Sequence, residues 1–135
     1  MTKRELSQLY YLDKEIKKDK ERLEELETQA TKITQDIKGM PFTVGTSDKT
    51  GGFAIEIAEQ KGLIESKLNQ CIILKNRIYR YINTIDDSLT RQIFTERYID
   101  LKTWLKIALS VGGDNTADSV RMIHNRFLKK QKQRN

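Results

Sequence analysis

One pattern limits the fold of this chain more than any other. Leu9, Leu12, Ile16, Asp19, Leu23, Leu26, Ala30, Ile33 and Ile37 recur at alternating intervals of three and four residues, and eight of the nine are apolar. A stripe that holds an average spacing of about 3.5 residues over several turns is the seam of a coiled coil. Neither Pro nor Gly interrupts it before Gly39, and Lys and Glu crowd its flanks. The segment is therefore one long helix whose apolar edge needs a partner.

A second seam follows at Ala54, Ile57, Lys61, Ile64, Leu68, Cys71, Lys75, Ile78, Ile82 and Ile85. Between the two lies GMPFTVGTSDKTGG, with the only Pro and four of the seven glycines. Gly39 suits a helix C-terminus and Pro41 blocks continuation. The pattern predicts an all-α chain that begins with a long antiparallel coiled-coil hairpin over residues 1–87, its loop at 39–52. Phe42 and Val44 are placed to fold over the hairpin tip. The loop glycines lack GxxxxGK[ST] spacing and a preceding strand, so they do not read as a phosphate loop. Pairing Ile37 with Ile57 and Leu9 with Ile85 sets Asp19 beside Lys75, either as a register-setting ion pair or with both charges turned to solvent. Two helices alone bury little surface, so the hairpin calls for a second copy, another protein, or the rest of the chain.

Charge divides the chain. Residues 1–87 carry 15 basic and 15 acidic side chains, and residues 88–135 carry 10 basic and 4 acidic. The whole formal surplus of +6 thus sits in the last segment, which predicts a polyanionic partner for that segment and another role for the arm.

The basic segment, 88–135, predicts a helix-turn-helix domain with a basic tail. Asp86, Asp87 and Ser88 form a capping cluster before a helix with Leu89, Ile93 and Phe94 on its apolar stripe. Thr103 is an N-cap for a short helix, Trp104 to Ser110, that turns Trp104, Ile107 and Ala108 inward. Val111 to Asn115 is turn chemistry, with Gly112 in the left-handed conformation. Asn115 and Asp118 stand at N-cap and N3 spacing before a final helix running to about Lys130, beyond which the basic tail is expected to be disordered. Val120, Ile123, Phe127 and Leu128 share one face with His124 at its edge, and Asp118, Arg121, Met122, Asn125, Arg126 and Lys129 share the other.

That arrangement points to double-stranded DNA. Asp118, Ser119, Arg121, Met122 and Asn125 are the candidates for reading base edges, with Arg126 nearer the backbone. Lys102, Lys106, Lys129 and Lys130, together with Lys132 and Arg134, are candidates for phosphate contacts. Thr116 and its neighbouring amides form a helix N-terminus suited to a phosphate.

TWLKIALSVGGDNTADSVRMIHNRFL resembles the region 4 helix-turn-helix of bacterial sigma factors in Ile107-Ala108, Gly112 and the run Val120, Arg121, Ile123, Arg126, Leu128, with a longer turn. Over nearly its full length, through ELSQLYYL, GMPF and GGDNTADSVR, the chain resembles the small phage-encoded regulators of the RinA and ArpU type. That resemblance implies transcriptional activation of late phage genes in the cytoplasm of a bacterial host, at the nucleoid. Two other functions remain open: a sigma-like adaptor gripping host RNA polymerase, and a phage terminase small subunit. The coiled coil can close within one chain or between two, as a homodimer.

Catalysis is not expected. The chain has one His and one Cys, far apart in sequence, which leaves no multi-cysteine metal site, no cofactor motif and no nucleophile beside a base. Trp104 and Cys71 read as apolar packing residues. No apolar run approaches the roughly 18 residues of a membrane span, and the charged start lacks a signal-peptide core, so a cytoplasmic protein is expected.

Overall fold

A computed structural model describes residues 1–38 and 46–134. Its described residues are helical wherever they are regular, and contain no strand. The helices are α1 (Lys3–Leu6), α2 (Gln8–Lys38), α3 (Thr46–Asn83), α4 (Ser88–Tyr98), α5 (Trp104–Val111) and α6 (Ala117–Arg134). Gly39, Pro41, Phe42 and Val44, with the turn expected of them, lie outside the described residues.

Two expected boundaries move. The segment from Thr46 to Gly52, expected in the loop, is the start of α3. A mid-helix Gly costs only about 1 kcal/mol against Ala, and each added residue of an established helix gains a hydrogen bond, so Gly51 and Gly52 do not stop it. The basic tail continues α6 to Arg134 instead of fraying after Lys130.

The chain forms two compact units, one of residues 12–70 and one of residues 1–11 with 71–135. The charge boundary at residue 88 falls inside the latter. In the first unit, Leu12, Ile16, Asp19, Leu23, Leu26, Ala30 and Ile33 are the seam positions withdrawn from solvent, while their neighbours along α2 are mostly exposed. On α3 the withdrawn residues are Phe53, Ile57, Gln60, Ile64 and Lys67, and the spacing continues through Cys71, Leu74 and Ile78. Ala54, Lys61, Leu68 and Lys75, expected in this seam, are exposed. From Ile57 a heptad can be continued by three residues or by four, and apolarity alone favoured Leu68 over Lys67.

The polar seam residues are compensated. Lys67 Nζ stands 2.5 Å from Asp19 Oδ2 and 2.9 Å from Glu15 Oε1, with the Lys67 and Asp19 side chains only 14% and 18% exposed. Gln60 Nε2 donates to the Asp19 carbonyl oxygen at 2.9 Å. The hydrogen bonds from Lys67 to Asp19 and then to Glu15 raise the lysine pKa. Lys61 meets Glu27 at 3.9 Å, so contacts descend α3 as they ascend α2. The expected partner of Asp19, Lys75, is thus replaced by Lys67, a register shift of eight residues along α3.

In the other unit a capping box opens α1: Glu5 N donates to Thr2 Oγ1 at 3.2 Å and Thr2 N donates to Glu5 Oε2 at 2.7 Å. Leu6 and Leu9 enter a core with Ile78, Ile82, Ile85, Phe94, Tyr98 and Ile99. A second cluster of Ile93, Ile107, Ala108 and Val120 ties α4, α5 and α6 together. Asp87 caps α4 through the backbone and hydroxyl of Thr90, which hold its carboxyl below the ordinary range.

Candidate nucleic-acid interface

The last three helices owe their spacing to their caps and turns. Thr103 Oγ1 accepts from Lys106 N at 3.3 Å, and α5 ends at Gly112. Gly112 has φ 69, on the left-handed side expected of it, and ψ −156, a combination essentially reserved for glycine. Gly113 follows with φ 65. Space is not the constraint at Gly112, since nothing lies within 4 Å of a Cβ built there. Backbone conformation alone selects this glycine.

The cap of α6 sits one residue later than its sequence spacing suggests. Ser119 N donates to Thr116 Oγ1 at 3.1 Å, and Thr116 N donates to Ser119 Oγ at 2.8 Å. Asn115, expected as the cap, instead holds the turn by donating Nδ2 to the Gly112 carbonyl at 3.0 Å. Thr116 and Ser119 therefore spend their hydroxyls on the helix terminus.

Val120 and His124 fix the inner face of α6, both at 0% exposure. His124 is fully enclosed, deeper than the core edge expected of it. Its ring lies 4.9 Å from Trp104, 5.0 Å from Phe94 and 5.5 Å from Tyr98, centroid to centroid. Burial lowers its pKa. The neutral ring then satisfies both nitrogens: the Tyr98 hydroxyl donates to Nε2, and Nδ1–H donates to Asn125 Oδ1 at 2.9 Å. Burial likewise pushes the Tyr98 phenol far up, so it stays a donor.

On the outer face α6 brings Asp118, Arg121, Met122, Asn125, Arg126 and Lys129 together, all exposed. Arg121 Nη2 lies 3.3 Å from Asp118 Oδ1. Lys130 is exposed farther round the helix, and Lys106 is exposed on α5. Lys102 is not gathered with them. It ion-pairs with Glu96 at 2.7 Å, and Ser110 Oγ also donates to that carboxylate. Burial pushes Glu96 up, but these hydrogen bonds outweigh it and hold its carboxyl below the ordinary range.

Two cations absent from the expected set lie beside this face. A groove of about 750 Å³ runs between the start of the chain and α6, and Lys3 and Arg4 line it together with Asn125, Lys129 and Lys132. A near-neutral sequence context hid them; the Thr2/Glu5 capping pattern marks their helix but not its neighbour.

Among the described residues, no cluster of His, Cys, Asp and Glu is arranged to hold a metal, and no helix is long and apolar enough to cross a membrane. No family model matches the chain, and neither does any curated protein or solved structure.

Proposed function

We propose that the chain is a sequence-specific DNA-binding transcriptional activator. In this reading α5, the Gly112-Gly113 turn and α6 form a sigma region 4-like helix-turn-helix, and α2 with α3 forms a coiled-coil hairpin. The resemblance to RinA- and ArpU-type regulators makes late phage genes the target and gives the hairpin the task of dimerisation or contact with host RNA polymerase. The observation that carries the reading is the two-faced character of α6. Its inner face is locked by Val120 and His124, while its first turns present Asp118, Arg121, Met122, Asn125 and Arg126 outward. Side chains on the first turns of a locked helix are the ones that reach base edges in a major groove.

Genome-wide footprinting of the tagged protein tests this directly. Protection upstream of a late operon is expected, and it should vanish when Arg121, Met122 and Asn125 are replaced together by alanine. Arg121→Ala alone should weaken specific binding by roughly 1–3 kcal/mol if it reads a guanine. Equal losses on specific and random duplexes would make Arg121 a phosphate contact, and no protection at any site would end the reading.

A sigma-like adaptor for RNA polymerase is the second reading, favoured by Leu105 and Leu109. They lie one turn apart on α5 and are 61% and 74% exposed, an apolar pair that a DNA backbone would not use. Retention on polymerase that survives loss of the α6 face but not Leu105→Ser/Leu109→Ser would select it.

A further inference from the structure

We infer that the groove between α1 and α6 is a phosphate-backbone clamp, in which Lys3 and Arg4 hold the DNA strand flanking the bases that α6 faces. This rests on the DNA-binding function proposed above and extends its interface to a segment far away in sequence. Four cations line the groove, Lys3 and Arg4 on one wall and Lys129 and Lys132 on the other. All four are exposed, and none is in a salt bridge among the described residues. The one carboxylate in the lining, Glu5, is already engaged by Thr2 N at 2.7 Å and faces Arg77 at 3.6 Å.

The first wall is fixed. The Thr2/Glu5 capping box sets the turn, and Leu6 anchors it at 0% exposure in the core. The backbone that carries Lys3 and Arg4 is therefore already ordered where it lines the groove, and only their side chains need ordering to grip an anion. Continuity decides for DNA over an acidic peptide: Asn125 and Lys129 belong both to the groove and to the outward face of α6. A strand followed from that face runs into the groove without leaving positive charge.

Each phosphate neutralised on duplex DNA steepens the dependence of log K on log salt by about 0.9. The test is fluorescence anisotropy with a labelled random-sequence duplex over a salt series, using the full chain. Lys3→Ala/Arg4→Ala should make the slope shallower by about 1.8. Lys129→Ala/Lys132→Ala should do the same from the other wall. Lys3→Arg/Arg4→Lys should restore the original slope, and melting curves should be unchanged because neither side chain is buried. A wild-type slope in Lys3→Ala/Arg4→Ala, with binding still lost when the α6 face is removed, overturns the clamp and leaves the DNA-binding function standing. A wild-type chain that binds no duplex overturns both.

Discussion

Lys67 Nζ lies 2.5 Å from Asp19 Oδ2, with both side chains largely withdrawn from solvent in a seam that is apolar apart from them and Gln60. A charge in that position is costly unless paired, and Glu15 completes the pairing while Gln60 donates to the main-chain carbonyl of Asp19. Lys67→Ala or Asp19→Ala should therefore lower the melting temperature, while Lys75→Ala should leave it unchanged. Replacing both Asp19 and Lys67 with Leu should raise the melting temperature above either single variant. Thermal denaturation followed by circular dichroism reads all four; equal effects at Lys67 and Lys75 would contradict the register.

Acid should weaken the other unit through His124. Burial holds its pKa below the ordinary 6.5, so the folded chain resists a proton that the unfolded chain accepts. Its stabilisation is complete above about pH 6.5 and is lost as pH falls through the depressed value. Urea midpoints from neutrality to about pH 5 should fall in the wild type and fall less in His124→Phe.

Tyr98→Phe removes the donor to His124 Nε2 and leaves that nitrogen buried without a partner. The cost should be about 1–3 kcal/mol at neutral pH, read from denaturant unfolding.

Gly112→Ala places a Cβ on a backbone with φ 69 and ψ −156. No neighbour obstructs the methyl group, so the expected loss of about 1–3 kcal/mol is conformational. Gly113→Asn should be tolerated better, because asparagine enters the left-handed region more readily than alanine does.

Thr116→Ala should cost about 1 kcal/mol by removing the acceptor for Ser119 N. Asp118→Ala should cost less, since Asp118 accepts no helix-capping hydrogen bond and its side chain is 83% exposed. Chemical denaturation of the two variants distinguishes this cap from one that pairs Asn115 with Asp118.

The seam of α2 was legible because its only polar member, Asp19, interrupts an apolar series at a fixed interval. On α3 the interval was legible and its phase was not. Leu68 and Ala54 look like seam residues, whereas Gln60 and Lys67 enter the seam through partners on another helix that no local pattern reveals. The same limit hid Lys3 and Arg4, whose charges cancel within their own stretch of sequence and matter only where Leu6 packs. In the basic segment the helices and their apolar faces were legible from spacing. The cap shifted by one residue because Asn115-Thr116 and Asp118-Ser119 offer two capping pairs in adjacent registers.

If α6 faces DNA as proposed, the hydrogen bond from His124 to Asn125 ties binding preference to the interior. The outward amide of Asn125 takes its orientation from a ring enclosed by Phe94, Tyr98 and Trp104. Repacking any of those aromatics would re-aim a surface amide without altering a single surface residue. A selection for new target sequences should then recover interior substitutions, heritable changes of recognition at positions that no ligand touches.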